Sequence, residues 1–422
     1  MEKKTPDEHP LPKDAASPVA PSVVVKAIVI SLRIIIGVLF VVSGFAKAID
    51  PWGTVYKISE YFTVWDIAVT TGITTTLAFL LSTWELVWGA LLLLGCYRRV
   101  AVVCLLLMMA VMLPLTLYIA IANPVADCGC FGDLWVISNT ATFVKNILIT
   151  AALIYLLIKN VKVDTVVYST HTQWIVGGLV TFYALAISLY GYNVQPLEDF
   201  RRFAPGKALV TDDEDVDDAE YTFIYERDGE SREFSQDNLP DSTWTFVDRR
   251  LKSGSEVAAD GLAVMVDGED ILPEIISDDA EQFIVTIPDL TKIDISISNT
   301  INDLNDYIEE RGGSLVTFMA GDDRQLAYWA DISMASYDIY QVESNLVKEL
   351  ARGTAALVYL NKGVVKWKRT ISSIDPELTG RHNRINLIEY LNPHPGLVLL
   401  RITAILIAMM LITLLIDFFI RH

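Results

Sequence analysis

The run Arg33-Ile34-Ile35-Ile36-Gly37-Val38-Leu39-Phe40-Val41-Val42-Ser43-Gly44-Phe45-Ala46-Lys47, followed by Asp50-Pro51, decides the class of this chain. It lies in an apolar stretch long enough to cross a hydrocarbon core of about 30 Å at about 1.5 Å per residue, yet it carries two cations. Charges inside a spanning helix are costly to bury, so Arg33 and Lys47 each need a partner or water. Five further stretches have spanning length, and the full set runs 24–49, 73–95, 100–122, 138–158, 173–192 and 396–419. The chain therefore reads as a multi-pass membrane protein, with the polar interval 193–394 forming a separate domain.

Lys and Arg in short flanks orient such a chain. Lys3, Lys4, Lys13 and Lys26 precede the first span, Arg98 and Arg99 join the second and third, Lys159 and Lys162 follow the fourth, and Arg421 ends the chain. This predicts an inner-membrane protein with both termini cytoplasmic and with the loop 50–72, the cysteine loop near 128–130 and residues 193–394 in the periplasm. Arg201, Arg202 and Lys207 run against the pattern, but large exported domains cross largely regardless of charge. The first span has no small-residue cleavage site and reads as an uncleaved anchor, after a disordered tail over 1–22.

The formal charge of −19 is concentrated in the polar domain, with acids crowded over 211–220. Such a surface makes nucleic acid a poor partner. The acidic run is not an EF-hand: the sixth position from Asp213 is Asp218 where Gly is needed, and the twelfth is Ile224 where Glu is needed.

The second span carries Trp84-Glu85-Leu86-Val87-Trp88-Gly89. Counted from the span ends, Arg33 lies about 24 Å below the outer boundary, Glu85 about 18 Å and Lys47 about 3 Å. This arithmetic pairs Glu85 with Arg33. The pair reads either as an ion pair fixing how two helices pack, or as a proton or quinone site lined by Trp84 and Trp88.

Arg33 in the first span, Phe40-x-x-Ser43-Gly44-x-x-Lys47 ending in Asp50-Pro51, Glu85 followed by Gly89, the turn Cys128-Gly129-Cys130-Phe131-Gly132 and Lys145-Asn146 in the fourth span form an ordered set. Over residues 24–158 this set resembles the MauE branch of the DoxX-like membrane proteins. The resemblance implies a four-helix transmembrane bundle over 23–160. It also implies a part beside a thioredoxin-like partner in maturing disulfide-rich methylamine dehydrogenase, and for DoxX relatives a link to thiosulfate and quinone chemistry. Methylamine itself is not implied, because nothing in the chain is built to bind it.

Four cysteines are present. Cys96 and Cys104 flank Arg98 and Arg99 and read as small apolar fillers on the reducing side. Cys128 and Cys130 face the oxidising side. A bond across one intervening residue closes a strained, easily reduced ring, and Gly129 and Gly132 allow the backbone angles needed. An exchange-active dithiol is the leading reading. A tight turn with two buried thiols is a second, and metal binding a third, although two cysteines without a nearby His fall short of four-coordinate zinc.

The polar domain has its own pattern. Phe283 to Ile287, Ile301 to Ile308, Leu315 to Met319, Arg324 to Trp329, Leu346 to Leu350, Ala355 to Leu360, Val364 to Trp367 and Ile385 to Leu391 read in order as strand, helix, strand, helix, helix, strand, strand, helix. Asn361-Lys362-Gly363 is a hairpin signal. This predicts an α/β thioredoxin-like domain over 281–394, with a β-rich segment before it. That segment has candidate strands over 221–225, 244–247 and 262–266, and an extended linker from Pro196 to Lys207. The arrangement resembles a Bacteroidota group in which a DoxX-like bundle is fused to an exported thioredoxin-like domain. This chain departs from the active pattern: Ile287-Pro288-Asp289-Leu290-Thr291-Lys292 stands where Cys-x-x-Cys belongs, no Pro stands at Thr354-Ala355, and no cysteine lies beyond 130. That domain cannot exchange thiols by itself. His171, His382 and His394 are too scattered to form a site.

The functional expectation is a redox-linked accessory protein in which Cys128 and Cys130 exchange disulfides and the exported domain binds a client or redox partner among envelope proteins. A non-catalytic scaffold is the rival, and a quinone-coupled subunit is a third reading.

Overall fold

The Asp50-Pro51 step at the end of the first span shapes the membrane part. In the computed structural model, which describes residues 23–125, 127–159, 167, 169–210, 221–227, 230–235, 245–251, 262–266, 269–276, 280–375, 377 and 386–421, helix α1 (Val23–Ile49) ends there and α2 (Pro51–Val64) begins at once. Asp50 caps α2 by accepting the Gly53 N–H at 3.0 Å, and Pro51 occupies the first turn, where its missing N–H costs nothing. The predicted loop 50–72 thus holds a helix, whose Trp52 and Val55 are buried. The tail 1–22, the acidic run 211–220, Lys162, Trp244, His382 and Ile385 lie outside the described residues.

Helices α3 (Thr71–Leu94), α4 (Arg98–Ala122) and α5 (Asn139–Lys159) complete a bundle with α1, and α6 (Thr170–Asn193) packs on α1 and α3. Glycines set the closeness of α1 and α3. A Cβ on Gly44 would press into the backbone of Leu86, one on Gly89 would come within 2.8 Å of the Phe40 Cβ, and one on Gly37 within 2.9 Å of the Leu93 Cβ. Small residues let backbones approach in a membrane, where packing rather than water exclusion drives helix association. Those contacts also fix an antiparallel register in which residue 44 faces 86 and residue 37 faces 93.

Beyond the membrane helices, β1 (Tyr221–Arg227), β2 (Glu230–Ser235) and β3 (Thr245–Leu251) form an antiparallel sheet in the order β2-β1-β3. Strands β4 (Met265–Val266) and β5 (Glu269–Asp270) pair, and the short α7 (Leu272–Ile275) follows. The α/β unit then runs β6 (Glu281–Ile287), α8 (Ile297–Glu309), β7 (Ser314–Met319), α9 (Asp323–Ser333), β8 (Asp338–Gln341), α10 (Ser344–Leu350), β9 (Ala356–Asn361), β10 (Val364–Thr370) and α11 (Leu387–Leu391). Its sheet order is β10-β9-β6-β7-β8, with β6, β7 and β8 parallel and β9 and β10 antiparallel. Helix α12 (Pro395–Arg421) returns to the membrane part against α6, where the Tyr183 and Thr403 hydroxyls share a hydrogen bond of 3.0 Å. Six helices among the described residues are long and apolar enough to cross a membrane, matching the six stretches read from the sequence.

Alternation along β6 builds two cores at once. Phe283, Val285 and Ile287 face α8 and Trp329 of α9, while Ile284 faces the other side with Val358 and Leu360. Lys362 and Gly363 both have positive φ, 54° and 68°, as a two-residue hairpin turn requires. Two expectations change. The sequence reading gave no strand at 338–341, yet β8 extends the sheet there; it is four residues long and weakly apolar. The segment 196–207 is not a free linker either. Phe203 and Leu209 enter the second core, and the Gly206 and Leu209 N–H groups donate to Val365 and Gly363 carbonyls at 2.7 and 2.9 Å. Leu262, Val264, Leu272 and Ile276 join that same core, so the α/β unit draws on chain well before residue 281.

Candidate functional site

The i, i+4 spacing of Ser43 and Lys47 puts both side chains on the face of α1 that meets Glu85 of α3. Lys47 Nζ donates to Glu85 Oε2 at 2.8 Å and to Ser43 Oγ at 2.7 Å, and Ser43 Oγ donates to Glu85 Oε2 at 2.7 Å. Lys47 Nζ also reaches the backbone carbonyl of Cys130, which stands 2.6 Å from Ser43 Oγ as well. All three side chains are buried. The ammonium and the carboxylate neutralise each other where water is scarce, and the remaining donor capacity is spent on the cysteine loop.

The pairing of Glu85 with Arg33 expected from depth is therefore wrong: the partner is Lys47. The arithmetic assumed that residues 49 and 73 lie at one level. With 44 facing 86 and 37 facing 93, α3 instead extends about 15 Å past the end of α1, carrying Glu85 up to Lys47. Arg33 is left buried beside the turn between α3 and α4, with Nε and Nη1 lacking a hydrogen-bond partner among the described residues.

The loop 123–138 sits on this ion pair. Gly129 and Gly132 have φ of 66° and 55°, the left-handed region in which a side chain is strained. At Gly129 a Cβ would also come within 2.8 Å of Lys57. The Asp127 carboxylate accepts the Gly129 N–H at 2.7 Å and pairs with Lys57 at 3.2 Å, and the Tyr61 hydroxyl donates to the Cys128 carbonyl at 2.9 Å. Cys128 and Cys130 are free thiols, half-buried, with sulfurs 2.8 Å apart and with the Thr142 hydroxyl 3.6 Å from Cys128. Hydrogen bonding from Cys130 lowers Cys128 to about 6 despite burial, with help from Thr142 and the charge of Lys145. The same contact, together with burial, pushes Cys130 up. The contact thus favours sharing one proton between the two sulfurs, with Cys128 the more easily deprotonated of the pair.

The α/β unit reaches the same loop through Arg352. Its guanidinium bonds Asp50 at 2.8 and 2.9 Å and also Asp133, beside the cysteines. Burial works against this charge, but Asp50 and Asp133 outweigh it and raise the pKa of Arg352. Tyr56 of α2 donates to the Gly353 carbonyl at 3.0 Å, and Gln195 holds the Arg352 backbone at 2.7 and 3.2 Å. Arg201, one of the cations that ran against the expected charge pattern, is paired with Asp199 at 2.7 Å, and Lys368 bonds the same carboxylate at 2.9 Å.

Of the residues singled out by sequence, Lys47, Glu85, Cys128, Cys130 and Lys145 come together, Lys145 lying 4.5 Å over the Phe131 ring. Asn146 points elsewhere and donates to Thr116 at 3.2 Å. Trp84 and Trp88 pack edge to face at 5.8 Å, and the Trp84 indole donates to the Cys104 carbonyl at 3.2 Å, whereas the Glu85 carboxylate turns toward α1. Cys96 is fully buried and Cys104 half-buried. Among the described residues no group of three His, Cys, Asp or Glu could hold a metal ion. The sequence reading missed Tyr61, Thr142, Asp50, Asp133 and Arg352 as site members. Only Asp50 carried a local signal, its place before Pro51.

The family model for methylamine utilisation protein MauE matches residues 25–159, and one for a domain of unknown function (DUF8463) matches 219–253, which spans β1 to β3. No curated protein matches the chain. Over residues 25–159, with its bundle of apolar helices, the chain is similar to the MauE membrane proteins, and further chain lies beyond that match.

Proposed function

We propose that this protein is a redox-linked accessory factor of the inner membrane, exchanging disulfides at Cys128 and Cys130 on the periplasmic face. The observation that carries the reading is the two thiols in contact on a loop anchored by Lys47, Ser43, Tyr61 and Arg352. The Cys128 thiolate attacks one sulfur of a client disulfide and the other sulfur leaves as a thiolate. Cys130 then gives up its proton and attacks Cys128 in the mixed disulfide. The products are a Cys128–Cys130 disulfide and a client dithiol, two electrons having passed to the client. Run backward, the same steps oxidise a client dithiol, and the relative potentials set the direction.

The α/β unit is read as a thioredoxin-like domain that has lost its own thiols and serves to present the client. Its Arg352-Gly353 segment lies just before Thr354-Ala355, the position where thioredoxins shape their substrate groove, and it docks on α2 and Asp133. A thiol-free recognition surface is thereby held beside the loop that has the thiols. Methylamine utilisation is the role named for the family that matches residues 25–159.

Two measurements test the reading. In a Cys130→Ser variant, Cys128 should trap a partner as an adduct released by reductant. Full rescue of a deletion strain by Cys128→Ser with Cys130→Ser would sink the redox reading and leave the scaffold.

A further inference from the structure

A cation near the start of α5 stands against the cysteine loop. Lys145 follows Thr142 at i, i+3, so the two share the face of α5 that meets the loop, where the Thr142 hydroxyl is 3.6 Å from Cys128 Sγ. Helical side chains lean toward the N-terminus, which in α5 is the end at the loop. The Lys145 ammonium accordingly lies 4.5 Å from the centre of the Phe131 ring, the residue next to Cys130. Counted from Asn139, the first residue of α5, Lys145 is about 9 Å into the span. A cation at that depth is costly unless an anion or water faces it. Lys145 makes no ion pair with an acid among the described residues, and an aromatic face offsets only part of the cost.

The other cations that reach the loop are already matched by acids. Lys47 pairs with Glu85, Lys57 with Asp127 and Glu60, and Arg352 with Asp50 and Asp133. Burial, with the thiols beside it, pushes the Tyr61 hydroxyl up and keeps it protonated. New negative charge therefore forms at the cysteines, and the charge of Lys145 favours a thiolate at either sulfur. Exchange creates that charge twice. It stands on Cys128 in the free dithiol, and on Cys130 in the mixed disulfide, when the Cys130 proton passes to the client thiolate released by the first attack. With the sulfurs 2.8 Å apart, one ammonium serves both. The Cys128–Cys130 disulfide has no thiolate, so a cation here favours the reduced pair and makes the disulfide more oxidising. From the place of Lys145 on the Thr142 face, over the ring beside Cys130, we infer that, where the pair exchanges disulfides as proposed, this ammonium is the counter-ion of the working thiolate and sets the reduction potential of the pair.

The test compares the full chain in neutral detergent with Lys145→Met, Lys145→Arg and Lys159→Gln, the last removing a cation at the far end of α5. Lys145→Met should move the alkylation midpoint of Cys128 upward by about one pH unit. At about pH 8 and a fixed glutathione ratio it should also raise the ratio of disulfide to dithiol about tenfold, a potential lowered by about 30 mV. At about pH 5, where both thiols are protonated, that difference should nearly vanish, which a loss of packing would not reproduce. Lys145→Arg and Lys159→Gln should behave as wild type. An unchanged midpoint and ratio in Lys145→Met, or the same shift in Lys145→Arg, would overturn the inference. If Lys145→Met does not accumulate, Lys145→Gln replaces it, with the same shift expected and a response identical to wild type counting against the role. Both readouts follow the thiols themselves, so they stand even where rescue by the double serine variant sinks the exchange reading, and an absent shift with client trapping intact sinks Lys145 alone.

Discussion

Two cations on one helix have opposite surroundings. Lys47 is buried with a carboxylate, a hydroxyl and a backbone carbonyl within bonding distance, whereas Arg33 is buried with two nitrogens that have no hydrogen-bond partner among the described residues. The contrast teaches that one intramembrane acid cannot serve both, and that helix register, not charge count, chooses between them. The end at Lys47 carries the cysteine loop and the α/β unit, and the end at Arg33 lies beside the turn between α3 and α4.

The largest effect should follow from breaking the satisfied end. Glu85→Leu strands the Lys47 ammonium and should cost about 3–5 kcal/mol, read as lost membrane accumulation and a lowered thermal midpoint. Adding Lys47→Met should restore most of it. If the single variant is as stable as the double, the ion pair is not what holds α1 to α3. Arg352→Ala comes next. It leaves Asp50 and Asp133 facing each other and should cost about 2 kcal/mol, with faster proteolysis in the segment 194–210 and an intact bundle. Unchanged proteolysis would show that the docking does not depend on this arginine.

Smaller effects sharpen the contrast. Alkylation of Cys128 should be half-maximal near pH 6, because the thiolate reacts and its fraction grows as pH rises through that value. Below it the rate should fall about tenfold per pH unit, and Thr142→Ala should move the midpoint upward by removing a donor to the thiolate. An ordinary midpoint, that of an unperturbed thiol, would mean that the two sulfurs do not share a proton. Smallest of all, Arg33→Met in neutral detergent should change stability by less than about 1 kcal/mol, since Nε and Nη1 have no hydrogen-bond partner among the described residues to lose. A cost equal to that of Glu85→Leu would erase the difference between the two ends.

The spans, the strand order and the thiol-free character of the α/β unit were legible because hydropathy, period-two alternation and residue identity are local properties. The hairpin at Lys362-Gly363 was legible for the same reason. The short β8 was not, because its pairing with β7 rather than its own composition makes it a strand. The dithiol was visible as a spacing, and its anchors Tyr61, Thr142 and Arg352 were not, since they come from three other parts of the chain.

From its sequence alone this protein is a multi-pass membrane chain with two buried cations, one intramembrane acid on the second span, one close pair of cysteines and a separate α/β unit. Tertiary structure alone decided which cation meets the acid, because glycine contacts at 37, 44 and 89 set the axial offset of α1 and α3, and span ends do not reveal an offset. It also decided that a single arginine, 219 residues beyond Asp133, joins the α/β unit to the cysteine loop, a contact between distant segments that no local pattern encodes.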